Sequence, residues 1–253
     1  MRPKTGFDFW RFCFRLGPRE SVRGIDYFRY YEFPTVLELA DLRAGDSVLD
    51  LGCGKSLFPL AVASWFPEVR YTTVDIDEEA VAWQRRAGER LGGLPNLTVK
   101  VGDSTRLEFP DDSFDRAINL GSIEHIPEEG DRATAAEMGR VVRPGGASIL
   151  SVPYSFQGVE NPTTDHWHGF ERRYDDETVQ DRLIEPSGCG LESNRYFGEP
   201  RLHFSDWWYS LPFPLRLPFR HMAPLASRVW LKEIPISDRS GACGIQIVLR
   251  KSL

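Results

Sequence analysis

Residues 25–41, IDYFRYYEFPTVLELAD, place apolar side chains at helical spacing and stop at the turn Arg43-Ala44-Gly45-Asp46. The period then changes. SVLDLGCG is a short apolar run ending in glycine and reads as a buried strand, and residues 57–66 follow as an apolar helix. RYTTVDID reads as a second strand, rich in β-branched residues and ending in carboxylates, and a helix over 78–91 closes at Gly92-Gly93. LTVKVGD and FDRAINLGS are the third and fourth strands. A polar-faced helix over 128–143 is stopped by Pro144-Gly145-Gly146 before the strand ASILSVP. Strands alternating with helices at this rhythm predict a parallel α/β sheet with helices on both faces.

Further on, YDDETVQDRLIEPSG predicts a helix, LESNRYFG a strand and GACGIQIVLRK the last strand. Between those two strands lies RLHFSDWWYSLPFPLRLPFRHMAPLASRVWLKE. Pro212, Pro214, Pro218 and Pro224 forbid one long helix there, so short helical pieces joined by extended turns are expected. At the other end, MRPKTGFDFWRFCFRLG is interrupted by Arg11 and Arg15 and holds no apolar run of signal-peptide or membrane-spanning length. It reads as a helix packed on the domain. The alternative is an amphipathic helix lying on a bilayer surface.

Composition narrows the class. The 253 residues suit a single large domain with its own core, and 41% hydrophobic with 27% charged residues describes an ordinary globule. A net charge of −6 argues against a nucleic-acid partner. Cys13, Cys53, Cys189 and Cys243 are scattered with no C-x-x-C pair, which points to a reducing, cytoplasmic compartment. The aromatic residues are uneven: 19 of 31 lie within residues 1–33 and 196–231. Those two stretches carry a net +5 and leave the remaining 184 residues at −11.

The candidate chemistry centres on Val48-Leu49-Asp50-Leu51-Gly52-Cys53-Gly54-Lys55-Ser56, where the first strand turns into a helix. Glycines there let the backbone approach a ligand, and the helix start offers free N–H groups. A dinucleotide fingerprint, G-x-G-x-x-G, fails because Leu57 stands three after Gly54. A phosphate loop would need glycine at Leu49. Asp50 would also repel a phosphate, while favouring a ligand that carries an ammonium group. S-adenosylmethionine carries a sulfonium and an ammonium and no phosphate.

On these residues the chain resembles a class I S-adenosylmethionine-dependent methyltransferase of the small-molecule type. The resemblance spans roughly residues 41–153. It implies a Rossmann-like, seven-stranded, mostly parallel sheet with helices on both faces and an aromatic-rich insertion between the last two strands. Residues 1–253 would then form one methyltransferase domain: a helical cap over 1–41, a cofactor-binding core over 42–153, the rest of the sheet over 154–198 and 241–253, and a substrate cap over 199–240. Asp50, Gly52 and Gly54 match the family's acidic-x-Gly-x-Gly-x-Gly turn, with Ser56 in place of the third glycine. Asp75 occupies the place of the acid that holds the ribose hydroxyls, and Ile76 that of the apolar neighbour packed on adenine. Gly102-Asp103-Ser104 fits the segment whose acid meets the adenine amino group, and Asn119 to Ser122 the segment lining the methyl-donor pocket. Tyr30, Tyr31 and Glu32 would close over the cofactor, with Glu32 able to pair with its ammonium group. Asp50, Asp75 and Asp103 all end successive strands, the edge at which α/β sheets bind ligands.

For the acceptor, His125 after the fourth strand is a candidate general base, and Asp165-His166-Trp167-His168 could supply another base, His166, or substrate contacts. A quinone-pathway branch of the family has a metal site, E-x-x-E-H, at this point; Gly121 replaces its first Glu, so no metal site is assigned. Neither an Asn-Pro-Pro-aromatic tetrad nor a Pro-Cys nucleophile is present, which disfavours nucleic-acid modification. The expected reaction is methyl transfer to a hydroxyl, or an amine or carbon, of a hydrophobic small molecule enclosed by the two aromatic-rich caps. The alternatives are a lipid or quinone methyltransferase working peripherally at a membrane, and a cofactor-binding protein without turnover.

Overall fold

The computed structural model describes residues 4–156, 159–161, 170–200 and 204–253. Three helices come first: α1 (Gly6–Arg15), α2 (Pro18–Arg23) and α3 (Arg29–Ala40). Thr5 and Asp8 cap α1, the Thr5 N–H donating to the Asp8 carboxylate at 2.9 Å, and the apolar face buries Phe9, Phe12 and Cys13. The alternation read from the sequence follows: β1 (Ser47–Leu51), α4 (Phe58–Trp65), β2 (Arg70–Asp75), α5 (Glu78–Arg90), β3 (Leu97–Val101), β4 (Phe114–Leu120), α6 (Gly130–Val141) and β5 (Val142–Pro153). β6 (Val159–Asn161) pairs antiparallel with β7 (Glu171–Arg173) in a separate two-stranded sheet.

The chain continues through α7 (Asp176–Val179), a π-turn (Gln180–Ile184) and α8 (Glu185–Ser187) into β8 (Gly190–Gly198). The proline-rich insertion forms α9 (Phe204–Ser210), α10 (Phe213–Arg216), a 3-10 turn (Leu217–Met222) and α11 (Ala223–Trp230), with prolines at the first turns where no N–H is missed. β9 (Lys232–Ile234) and β10 (Ala242–Arg250) end the fold.

The main sheet runs β3-β2-β1-β4-β5-β10-β8-β9. β1 lies between β2 and β4 in parallel, with Leu49 opposite both Thr72 and Ala117, and β10 enters antiparallel between β5 and β8. The described sheet therefore has eight strands, the three-residue β9 being an addition that its brevity hid in the sequence. β5 starts at Val142, five residues before the expected strand. Its pairing with β4 shifts between Phe114 and Arg116, and that irregularity accommodates Pro144 and the positive φ of Gly145.

Alternate residues of the central strands feed the two faces. Leu49, Leu51, Ala117 and Leu150 pack with Met138 and Val141 of α6 on one side. Val48, Ile118 and Ile149 pack with α1, α3 and α4 on the other. A third cluster, Tyr27, Tyr30, Phe197, Trp208, Ala223, Ala226 and Leu231, fastens the insertion onto the N-terminal helices. No helix among the described residues is long and apolar enough to cross a membrane.

Candidate functional site

At the carboxyl edge of the sheet a cleft of about 1180 Å³ opens between the β1 turn, the end of β4, the N-terminal helices and the insertion. Ser56, Gly121, Glu32, Glu124 and His125 all line it. Asp50, Asp75 and Asp103 stand further along the same edge, ending or following β1, β2 and β3.

The glycine turn is held by neighbours on three sides. Gly52 has φ +72°, and a Cβ there would overlap the Ser122 side chain, so this position requires glycine twice over. The Gly54 N–H donates to Asp75 Oδ2 at 2.6 Å. From below, the Gln84 side-chain amide donates to the carbonyls of Gly54 at 3.0 Å and Ser56 at 2.7 Å. Gln84 was not singled out in the sequence, although a signal existed: it is the polar member of the buried stripe Ala80, Val81, Gln84, Ala87 on α5. Ser56 turns its hydroxyl to the Phe58 N–H at 3.2 Å, which leaves its backbone at the cleft. Lys55 is drawn aside to Glu79 at 3.1 Å.

Asp50 is buried and accepts from the Tyr71 hydroxyl at 3.0 Å. Burial, opposed by that hydrogen bond and reinforced by nearby Asp75, pushes its carboxyl up to about 7. Its charge is therefore weaker at neutral pH than its place in the motif implies. Asp75 also accepts from the Asp77 N–H at 2.9 Å, and Ile76 beside it is 71% exposed, an apolar surface with nothing packed over most of it. Asp103 is exposed and its Oδ1 holds the Thr105 N–H at 2.8 Å, while Ser104 bonds Thr134 at 3.1 Å. Asn119 is fully buried: its amide donates to Ser122 Oγ at 2.9 Å and its carbonyl accepts from the Ile123 N–H at 3.1 Å. It shapes the turn after β4 and presents no free face to the cleft.

After β4 the chain makes a 3-10 turn, Ile123–His125. The guanidinium of Arg29 lies against Gly121, and Arg29 Nη1 pairs with Glu32 Oε2 at 3.1 Å. Ser151 Oγ donates to Glu32 Oε1 at 2.7 Å. Glu32 thus has a cationic partner within its own helix. Glu124 is 3% exposed, and its Oε2 has no hydrogen-bond partner among the described residues. Burial pushes its carboxyl up to about 8, against the pull of Arg29 and with a further upward push from Glu32 and Glu171. His125 Nδ1 lies 2.8 Å from the Phe170 carbonyl, to which it donates, and its Nε2 lies 3.9 Å from Glu124 Oε1. Arg172 and Arg182 clamp the loop beyond, donating to the Glu128 carbonyl at 3.1 and 2.6 Å while both pair with buried Asp131.

Of the residues expected at the cofactor, Ser56 and Glu32 line this cleft, whereas Tyr30, Asp50, Gly52, Gly54, Asp75, Ile76, Asp103, Ser104 and Asn119 do not. Tyr30 is buried in the cluster beneath the insertion, where its hydroxyl oxygen accepts from the Ile25 N–H at 3.5 Å; it belongs to packing. Tyr31 stacks on Phe197 with centroids 5.1 Å apart. His166, with Asp165, Trp167 and His168, lies outside the described residues. Among the described residues no group of three or more His, Cys, Asp or Glu is placed to hold a metal ion.

Comparison with known proteins agrees with this geometry. Residues 48–146 match the family model described as a methyltransferase domain. An uncharacterised 37.1 kDa protein in transposon TN4556 of Streptomyces fradiae is 32% identical over 184 residues, covering 72% of this chain and 51% of that protein. The nocamycin O-methyltransferase of Saccharothrix syringae is 33% identical over 156 residues, covering 60% of this chain and 52% of that one. The chain thus spans about half the length of these curated relatives. Among solved structures, a putative sarcosine dimethylglycine methyltransferase from Galdieria sulphuraria shares the fold at a TM-score of 0.63 and 16% identity, covering 87% of this chain and 83% of that one. Residues 48–146 thus carry a methyltransferase domain of the class I, S-adenosylmethionine-dependent family.

The residues present suit that family's cofactor. The turn offers an approachable backbone at Gly54, where a Cβ would meet nothing within 4 Å; Asp75 and Ile76 offer a carboxylate beside an open apolar surface; and the one cation of the turn, Lys55, is engaged elsewhere. That donor set fits a sugar and a cationic group better than a phosphate.

Proposed function

We propose that this protein transfers the methyl group of S-adenosylmethionine to a hydroxyl, or to an amine or carbon, of a small molecule with a hydrophobic body. One observation carries the reading: a single cleft joins the glycine turn at Ser56 and the β4 end at Gly121 to a wall built by the N-terminal helices and the insertion. Cofactor and acceptor would share one enclosure, as a direct displacement requires.

The bound cofactor supplies an electrophilic methyl group on a sulfonium. Everything else falls to the chain. Asp75 would hold the ribose hydroxyls, Ile76 and the Asp103-Ser104 segment would flank the adenine, and the backbone of Gly52, Gly54 and Ser56 would face the methionine part, with Asp50 behind them. Asn119 and Gln84 keep that turn in shape. Glu124 and His125 line the same cleft just after β4, which supports a role in accepting the proton of a hydroxyl acceptor. Glu124, a buried carboxyl raised to about 8 whose Oε2 has no hydrogen-bond partner among the described residues, is the group we assign to take it up when ionised, and His125, held by Phe170, is a positioning residue beside it. Titration calorimetry with S-adenosylhomocysteine tests the core of the reading. Saturable binding is expected; absence of heat at high protein concentration would refute it.

A further inference from the structure

From Phe213 to Trp230 the insertion is one continuous helical stretch, in which α10, the 3-10 turn and α11 follow one another without a break. Its inner side is fixed by packing, with Ala223 and Ala226 buried among Tyr27, Tyr30 and Trp208. Its outer side is apolar as well. Leu215, Phe219, Met222, Leu225 and Val229 recur at intervals of three or four residues, and each is between 45% and 58% exposed. Residues three apart eclipse one another in a 3-10 turn and are neighbours on an α-helix, so the five form one stripe.

The stripe widens into a patch. Trp207 of α9 meets Phe219 with ring centroids 6.2 Å apart, and Phe14 of α1 stacks on His221 at 6.1 Å. Both Trp207 and Phe14 are half exposed themselves. α2 packs on the 3-10 turn and brings the exposed Val22. An exposed apolar area gathered from four elements marks a binding surface rather than a face meant for water.

The rim of the patch is basic. Arg11 stands three residues before Phe14, Arg19 three before Val22 and Arg228 three after Leu225, so each of three helices sets an exposed arginine beside an exposed apolar side chain. Arg15 and Arg23 are exposed on the same helices, and the exposed acid of these elements is Asp206. This face therefore opposes the charge of a chain whose net is −6. The combination is complementary to an anionic bilayer: apolar side chains enter the acyl boundary, while arginines keep their heads among the phosphates on long apolar stems. A second copy of the chain fits less well, because a two-fold contact would set the arginines of one patch against those of the other. No helix among the described residues is long and apolar enough to cross a bilayer, and a stripe along one side is the pattern of a helix lying in the interface.

We infer that the outer face of the insertion, together with α1 and α2, is a docking surface for an anionic lipid bilayer. The inference is independent of the methyl-transfer reading. The same insertion lines the cleft through Ser205 and Asp206, so docking would carry the cleft to the membrane surface.

Co-sedimentation tests it, with vesicles of phosphatidylcholine alone and of phosphatidylcholine mixed equally with phosphatidylglycerol. The full chain is expected in the pellet with the anionic vesicles and in the supernatant with the neutral ones, and about 0.5 M salt should release it. Arg19→Gln and Arg228→Gln should each lower the partition coefficient about fivefold, and Met222→Glu and Leu225→Glu roughly tenfold or more. Leu191→Glu, at an exposed apolar position on β8, should leave it within about twofold. Unchanged thermal denaturation identifies the variants that can be read, and the lipid and salt dependence of the wild type stands without them. Failure of the wild type to sediment with anionic vesicles overturns the inference, as does equal partition onto neutral ones or binding that survives all four patch substitutions. A chain that is dimeric without lipid and becomes monomeric on Met222→Glu also overturns it, assigning the face to a second copy.

Discussion

The guanidinium of Arg29 fills the space that a side chain on residue 121 would occupy, so α3 is docked onto the end of β4 through a glycine. Gly121 also has φ +64°, which disfavours any L side chain. The arrangement couples two segments distant in sequence and sets Arg29 between Glu32 and Glu124.

Gly121→Ala is therefore expected to cost about 1–3 kcal/mol, part from backbone strain and part from displacing Arg29. Arg29→Ala should remove the second part, so the double variant will be less destabilised than the sum of the single ones. Thermal denaturation of the four proteins measures this. Strict additivity would mean that the contact carries no energy.

Asp75→Ala should weaken S-adenosylhomocysteine binding by about 1–3 kcal/mol, the range for losing charge-assisted hydrogen bonds to a sugar. The same carboxylate holds the Gly54 N–H, so part of the loss will come from a looser turn. Gln84→Ala, which frees the Gly54 and Ser56 carbonyls without removing a cofactor contact, isolates that part and is expected to weaken binding less. Calorimetry decides; unchanged affinity in the Asp75 variant would contradict its assignment.

Much of this was readable because it is local. The strand that ends in Asp50-Leu51-Gly52 and the acids that close β2 and follow β3 announce themselves in runs of a few residues. Arg29 gave no such signal, since its role exists only once α3 folds over Gly121. The aromatic residues show what composition leaves open. Composition reads them as the walls of a substrate pocket, yet many contact one another: Phe204 stacks on Trp230 with centroids 4.6 Å apart, Tyr27 tilts against Phe204 at 5.0 Å, and Trp10 donates to His221 at 3.2 Å. Apolar content counts side chains but not the faces they turn, and here charged groups from the same segments reach the cleft as well.

Glu124 yields a prediction in both stability and rate. Its folded pKa, about 8, lies above the ordinary carboxylate value near 4, because burial disfavours the charged form. Below pH 4 both states hold the proton and nothing is lost. Between about pH 4 and pH 8 the unfolded chain ionises while the folded one retains its proton, so the folded state loses stability progressively as pH rises. Glu124→Gln removes that cost while keeping the shape. The variant should match the wild type in thermal stability near pH 4 and exceed it at pH 8.5 by on the order of 5 kcal/mol. If Glu124 is also the proton acceptor, kcat with an oxygen nucleophile should fall by roughly 10²–10⁴. The rise of wild-type rate with pH toward 8 should then flatten in the variant, whereas His125→Asn should keep that rise. A glutamine variant that is more stable at high pH yet turns over with an unaltered pH profile would leave Glu124 a buried burden on the fold and return the proton-accepting role to His125.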